Sequence, residues 1–309
     1  MEYLLLILGL GILIVSGEFL VKGAVGIALK FNISTLVIGM TIVAFGTSAP
    51  ELLVSIKAAL EGHPEISIGN VLGSNIANLA LVLGLTTIVL PINVQRSTIR
   101  IDWPIMMLAT IAFSLFIING IIDWWEGVLY IIALIAFNFF MIKKSSNDIE
   151  INDEVEQEKS NKNFYKNVFF VIIGVVGLAF GANWLLEGAI QIAQNFGVSE
   201  YIIGATIVAF GTSVPELVTS LVAAFKKQTD ISIGNLIGSN IFNLLAVLGI
   251  TSVVKEIPVS IQVQTTDIYW LLGISFLIFP LMIYRNRINR VGGLILILAY
   301  ITYIYFALK

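Results

Sequence analysis

Apolar residues run along this chain in blocks of about 20, the length an α-helix needs to cross a bilayer, with short polar connections between them. Window hydropathy predicts ten such spans, near residues 3–28, 34–60, 66–90, 102–119, 124–142, 167–194, 199–225, 231–254, 267–284 and 291–308. Two of the blocks break their own pattern in the same way. IGMTIVAFGTSAPELLVSI sets a glycine, two hydroxyls, a proline and a carboxylate at mid-block, and IIGATIVAFGTSVPELVTSL repeats the interruption 165 residues later. Residues 39–84 and 204–249 are identical at 29 of 46 positions without a gap, which marks an internal duplication. Fainter likeness upstream pairs Gly23-Ala24 with Gly188-Ala189 and Phe31 with Phe196, so each half holds five spans. An odd number turns the second copy upside down in the membrane. The predicted fold is therefore an all-α polytopic membrane protein of ten transmembrane helices, arranged as two inverted five-helix repeats with helices 2 and 7 broken. Residues 1–142 form the first repeat, 143–166 an acidic and polar cytoplasmic linker, and 167–309 the second repeat.

Composition agrees with a lipid environment. The 309 residues are 58% hydrophobic and 12% charged, against about 25% charged in soluble domains. The first span lacks a basic n-region and a small-residue cleavage site, so it reads as a retained helix and not as a signal peptide. With no cysteine, disulfides, thiolate metal sites and cysteine nucleophiles are excluded. A net charge of -3 without a basic stripe excludes a nucleic-acid footprint. If the ten spans hold, Lys30, Arg96, Arg100, Lys143, Lys144, Lys159, Lys162, Lys166, Lys226, Lys227, Arg285, Arg287 and Arg290 share one face, and Lys255 and Lys309 lie on the other. The positive-inside rule makes the first face cytoplasmic. Both termini of a multi-pass cell-membrane protein then lie outside. The linker's Asp148, Glu150, Asp153, Glu154, Glu156 and Glu158 lack the ligand spacing and turn glycine of a calcium loop, so the segment reads as solvated chain.

The broken motif carries the chemistry. A carboxylate at mid-membrane costs at least about 2.5 kcal/mol on insertion scales, which makes Glu51 and Glu216 functional candidates. Pro50 removes a helical hydrogen bond but suits the start of a new helix, so GTSAPE predicts one half-helix ending near Gly46 and another beginning at Pro50, with Thr47 or Ser48 near the cap. Carbonyls around Ala44, Phe45 and Thr47 lose helical partners, and such groups are tolerated at membrane depth where they line a cavity or hold an ion. Thr47 and Ser48 stand four and three residues before Glu51, spacings that share a helical face. In the adjoining spans, ISIGNVLGSNIANLALVLG and ISIGNLIGSNIFNLLAVLG, Gly69, Gly73, Gly234 and Gly238 permit close helix approach. Ser74 and Asn78 share a face, as do Ser239 and Asn243. Asn70, Asn75, Asn235 and Asn240 point elsewhere, either to a ligand or to helix-joining hydrogen bonds. A purely structural polar kink is the rival reading, and the duplication weighs against it.

Hard oxygen donors, no cysteine and a lone loop histidine, His63, leave soft metals without their usual ligands. Six to eight oxygens with two carboxylates suit calcium, and sodium uses the same atoms. Two carboxylates balance one divalent or two monovalent ions, and a double load leaves uncompensated charge at low dielectric. Mutually exclusive occupancy and alternating access make an antiporter. An intramembrane enzyme using the two glutamates finds no histidine in a span and no nucleophile beside a base. A cation channel would pass ions without an obligatory counter-ion.

The paired GTS-x-PE and GN-x-x-GSNI-x-N blocks closely resemble the two alpha-repeats of the sodium/calcium exchanger family, within the calcium:cation antiporter superfamily, and its compact prokaryotic members in particular. The resemblance covers the whole ten-span layout. It implies an ion-binding core of helices 2, 3, 7 and 8, past which helices 1 and 6 slide. By motif position it implies Glu51 and Glu216 as central Ca2+ ligands, with Thr47 and Thr212 supplying backbone oxygens. For Na+ it implies Ser48, Ser74 and the Ala44 carbonyl in one half and Ser213, Ser239 and the Ala209 carbonyl in the other. Thr47, Thr212 and both glutamates serve Na+ as well, and Asn78 and Asn243 complete the central site. Several relatives, including potassium-dependent ones, carry Asp where this chain has Asn243. That departure argues against a K+ requirement and leaves the third sodium of a 3:1, electrogenic exchange without its own countercharge. Ca2+/H+ exchangers of the superfamily present GN-x-x-E around the acidic residue. Both copies here keep the hydroxyls, which favours Na+-coupled Ca2+ export over the proton-coupled alternative. No cofactor, no enzymatic activity and no obligate protein partner is expected beyond the two ions and the bilayer.

Two smaller expectations complete the reading. Glu18 and Lys22, four apart, are expected to pair inside the first span. Trp103, Trp124, Trp125, Tyr201, Trp270 and the late tyrosines suit interfacial anchoring.

Overall fold

A computed structural model describes residues 1–148, 164–197 and 209–307. The chain is mostly helical because a backbone in lipid must satisfy its own hydrogen bonds. The helices are α1 (Glu2–Phe31), α2 (Thr35–Thr47), α3 (Ala49–Leu60), α4 (Glu65–Val89), α5 (Thr98–Asn119), α6 (Trp124–Asp148), α7 (Phe164–Asn195), α8 (Val214–Phe225), α9 (Thr229–Val254), α10 (Val263–Asn286) and α11 (Arg290–Ala307). Among the described residues eight helices are long and apolar enough to cross a membrane, or nine if the bent pair α2 and α3 counts as one span. Their limits fall within a few residues of the hydropathy blocks. The tenth expected span is represented by α8 and a single turn at Ala209–Gly211, and its residues 199–208, Tyr201 among them, lie outside the described residues. So do residues 149–163 of the linker, which include most of its acidic side chains with Lys159 and Lys162, and Lys309.

The chain divides into two compact units, Met1–Thr47 with Met141–Asn235 and Ser48–Phe140 with Leu236–Lys309. In the first, α1 and α7, the expected spans 1 and 6, pack along one another. Glycine makes that approach possible. A Cβ on Gly9 would stand 2.5 Å from the Leu185 amide nitrogen, and one on Gly181 would stand 3.0 Å from the Gly9 carbonyl, the small-residue packing that membrane helices favour. Leu13, Leu20, Val21, Leu178, Val214, Val218 and Ile231 form the buried core where α8 also joins α1.

In the second unit α3, α4 and the C-terminal part of α9 pack together, and α11 covers α4. Two short antiparallel ladders tie its connections. β1 (Ile92–Asn93) pairs with β4 (Arg287–Ile288), and β2 (Ile121–Ile122) with β3 (Ile257–Pro258). Trp103 departs from the anchoring expectation. It is buried, donates from Nε1 to the Ser275 carbonyl at 2.8 Å and stacks on Phe279, so its ring serves helix packing. Trp124 and Trp125 are exposed at the start of α6, as interfacial anchors are.

The Glu18 to Lys22 pair does not form. Glu18 faces Lys226 at the end of α8, 3.8 Å away and partly exposed, while Lys22 lies over the Phe170 ring. The aromatic face offers the Lys22 cation an alternative partner.

Candidate functional site

The proline break is present in both copies with the same backbone. Helices α2 and α3 meet at a 42° bend, with Ser48 at φ -86°, ψ 2°. Ser213 repeats it at φ -88°, ψ 2° before α8. These values sit in the sparsely populated bridge region where many active-site residues are found. Ser48 occupies the capping position expected for it, but its side chain makes no cap hydrogen bond, and neither does that of Ser213. Its backbone is used instead: the Ser48 carbonyl accepts from Leu52 N–H at 3.2 Å, and the Ser213 carbonyl from Leu217 N–H at 3.0 Å. Each hydroxyl is left to turn toward something other than its own helix end.

The break delivers a carboxylate into the first turn of a helix each time. Glu51 and Glu216 are completely buried, where an ionised carboxylate is stable only with a compensating charge or a full set of donors. The helix N-terminus contributes part of that compensation. Among the described residues no three His, Cys, Asp or Glu side chains gather. His63 is exposed and faces Glu65 at 3.6 Å, a loop residue as expected.

The second unit carries Ser48, Glu51, Ser74, Asn78, Ser239 and Asn243, all buried. The packing of α3 on α4 and α9 brings together the elements that bear Glu51, Asn78 and Asn243. Asn78 and Asn243 both lie in π-helical stretches, Ala77–Val82 and Asn243–Val247. A π turn displaces side chains from the regular face and recurs at functional sites. Hydropathy carries no trace of it.

The carboxamides here are oriented by an unambiguous acceptor. Asn75 Nδ2 donates to the Asn240 backbone carbonyl at 3.3 Å, so Asn75 Oδ1 is the end left to accept. Asn243 Nδ2 donates to it at 3.0 Å, which leaves Asn243 Oδ1, buried and without a hydrogen-bond partner among the described residues, as a free acceptor. Both polar atoms of Asn78 are likewise unpartnered.

The first unit carries Ala44, Thr47, Ala209, Thr212, Ser213 and Glu216. The turn bearing Ala44 and Thr47 packs on α8. Thr47 and Ser213 are buried and Thr212 half-buried. The Ala44 carbonyl is not bare as the sequence suggested: Thr47 Oγ1 reaches it at 3.3 Å, though the same hydroxyl lies closer to Asn235 Oδ1, at 3.0 Å. A hydroxyl has one proton, so the shorter bond is the better satisfied, and a carbonyl keeps a second lone pair in any case.

Of the four asparagines that were open between ligand and helix joint, Asn70, Asn75 and Asn235 donate to a neighbouring helix, whereas Asn240 Nδ2 donates to the Leu236 carbonyl of its own helix. Asn70 Nδ2 donates to Ser55 Oγ at 3.1 Å and to the Glu51 carbonyl at 3.2 Å, tying α4 to α3. Asn235 Nδ2 donates to Ser220 Oγ at 3.3 Å, tying α9 to α8. Ser55 and Ser220 were not singled out from the sequence, although both stand inside the duplicated blocks at the same 165-residue offset as the asparagines they meet.

Comparison with known proteins identifies the family. The profile of the family described as "Sodium/calcium exchanger protein" matches residues 1–143 and 166–309. The protein CaxA of Alkalimonas amylolytica is 38% identical over 306 residues, covering 97% of this chain and 96% of its own. The sodium/calcium exchanger MaX1 of Methanosarcina acetivorans is 29% identical over 340 residues, covering 98% and 97%. A solved structure of the sodium-calcium exchanger NCX_Mj, soaked with zero Na+ and Ca2+, superimposes with a TM-score of 0.85 at 34% identity, covering 99% of this chain and 98% of that one.

Proposed function

The chain belongs to the sodium/calcium exchanger family, a family of membrane transporters and not of enzymes, and from that premise we propose that it exports Ca2+ in exchange for Na+ by alternating access. The observation that carries the reading is the pair Glu51 and Glu216, each fully buried in the first helical turn after the same proline break. Two buried negative charges favour a positive partner, and the duplicated blocks that carry them supply hydroxyl and carboxamide oxygens. Two carboxylates and one Ca2+ are neutral, as are two carboxylates and two Na+. Loading both kinds at once is opposed by like-charge repulsion at low dielectric, so one ion displaces the other, and displacement coupled to alternating access is exchange.

In this reading Glu51, Glu216, Thr47 and Thr212 are the Ca2+ ligands. The Ala44 and Ala209 carbonyls with Ser48, Ser74, Ser213 and Ser239 join them for Na+, and Asn78 and Asn243 complete the centre. Ten spans in two inverted halves, residues 1–142 and 167–309, put both termini outside and the 143–166 linker in the cytoplasm. Asn243 carries no charge, so transport is K+-independent, and a third Na+ per cycle would make it electrogenic. The proton-coupled alternative is disfavoured by the hydroxyls both copies retain beside the carboxylate.

Reconstitution tests the reading. Vesicles loaded with Na+ should accumulate radioactive Ca2+ only while an outward Na+ gradient lasts, independently of K+, and an inside-negative clamp should slow the uptake if the cycle is electrogenic with excess Na+ leaving. Ca2+ uptake that ignores Na+ and follows a pH gradient would replace this proposal with Ca2+/H+ exchange.

A further inference from the structure

Of the chain's 17 basic residues five are arginines, Arg96, Arg100, Arg285, Arg287 and Arg290, and the other 12 are lysines. The arginines occupy two segments almost 190 positions apart, and the β1–β4 ladder joins them. Asn93 pairs in register with Arg287, and Val94 N–H donates to the Asn286 carbonyl at 2.8 Å. A positive-inside signal needs charge only, and lysine supplies it elsewhere in this chain, so gathering every guanidinium at one joint calls for chemistry that lysine does not offer. A guanidinium presents a planar fork of donors that grips a phosphate with two parallel hydrogen bonds.

A pocket of about 330 Å³ opens at this joint, lined by Arg96, Ile99, Arg100, Ile283 and Asn286. Arg96 and Arg100 stand four residues apart at the entry to α5 and so share a face. Among the described residues neither forms an ion pair with a carboxylate. Two of the three neighbouring arginines are engaged: Arg290 Nε donates to the Ile88 carbonyl at 3.0 Å, and Arg285 lies over the Tyr284 ring. Arg285 and Asn286 both hold left-handed backbone, at φ 61° and φ 50°, a conformation that side-chain-bearing residues keep where surrounding structure enforces it. The pocket lies where α5 begins and α10 ends, and the ends of membrane-spanning helices are where headgroups are met.

We propose that this pocket binds a phosphate-bearing anion, with Arg96 and Arg100 taking the phosphate oxygens, Asn286 offering a neutral polar contact, and Ile99 and Ile283 flooring the site. The same chemistry is available from an acidic phospholipid headgroup and from a soluble phosphate.

The test reads binding and not transport, so it stands or falls separately from the exchange reaction. The melting temperature of the detergent-solubilised full chain is titrated with short-chain phosphatidylglycerol, short-chain phosphatidylcholine and inorganic phosphate. Phosphatidylglycerol should raise it saturably and phosphatidylcholine should not. A matching rise with inorganic phosphate assigns the pocket to a soluble phosphate instead of a headgroup. Either effect should be lost in R96Q/R100Q. It should be about tenfold weaker in R96K/R100K, which keeps the charge and the fold but not the fork, and unchanged in K143Q/K144Q. The proposal is overturned if no phosphate compound shifts the melting temperature, if R96K/R100K responds like the wild type, or if K143Q/K144Q loses the response to the same extent.

Discussion

The two copies of the broken motif share their backbone and most of their residues but only some of their hydrogen bonds. Asn70 and Asn235 each meet the matching serine, Ser55 or Ser220. Beyond that, Asn70 reaches the carbonyl of its own copy's glutamate, while Asn235 accepts from Thr47 of the other copy. Asn75 crosses to the Asn240 carbonyl, but Asn240 Nδ2 turns back to Leu236 within its own helix. The half-helices differ in cover as well. In α8, Val218 and Thr219 are buried, whereas their counterparts Leu53 and Val54 in α3 are exposed. Duplication thus fixes which chemistry is present in each half, and local packing decides what each side chain touches. Residues carrying charge should behave as equals across the copies, and residues carrying hydrogen bonds should not.

The largest expected effect tests the equality. Glu51→Gln and Glu216→Gln should each reduce Na+-dependent Ca2+ uptake to the level of protein-free vesicles, because either change leaves one negative charge for a divalent ion. Survival of one variant would break the symmetry at the point where the account requires it.

Next come the orienting asparagines. Asn75→Ala releases Asn243 and removes a bond worth about 1 kcal/mol, so the apparent Na+ or Ca2+ affinity should weaken about fivefold. Asn240→Ala removes only a bond within its own helix and should change affinity less than about twofold. Equal effects would show that the asymmetric bonds are irrelevant to the site.

Stability separates the serines. Ser220→Ala strands a buried Asn235 amide and should cost about 1–2 kcal/mol, whereas half-buried Asn70 keeps the Glu51 carbonyl when Ser55 is replaced by Ala, and that change should cost about half as much. Thermal unfolding of the two variants ranks them, and the reverse order would contradict the bonding described. Smallest of all are the ion pairs at the ends of the half-helices, Lys57 with Glu61 in one copy and Lys226 with Glu18 in the other. Both are solvent-accessible, so Lys57→Met and Lys226→Met should leave the melting temperature unchanged within error.

The spans were legible because bilayer thickness fixes the length of an apolar block, and the break was legible because proline cannot continue the hydrogen-bond ladder. Candidate ligands Glu51, Ser48, Asn78 and Asn243 emerged for a related reason, since polar side chains are rare in such blocks. Other features had no local signal. The π stretches at Asn78 and Asn243 shift hydrogen-bond register without changing composition. Glu18 chose Lys226 over Lys22 because a helical spacing of four permits a pair without requiring it. Trp103 turned inward to Ser275, a partner 172 residues away. The five arginines were visible as charges, but their gathering depends on the β1–β4 pairing of distant loops.

Equilibrium binding of radioactive Ca2+ to the purified protein, titrated with Na+ at constant ionic strength and pH, tests most directly the claim that one buried carboxylate pair is shared by both ions. Na+ should displace all specifically bound Ca2+, and Glu51→Gln and Glu216→Gln should bind none. Ca2+ that stays bound at saturating Na+, or that leaves only when the pH is lowered, would contradict that claim.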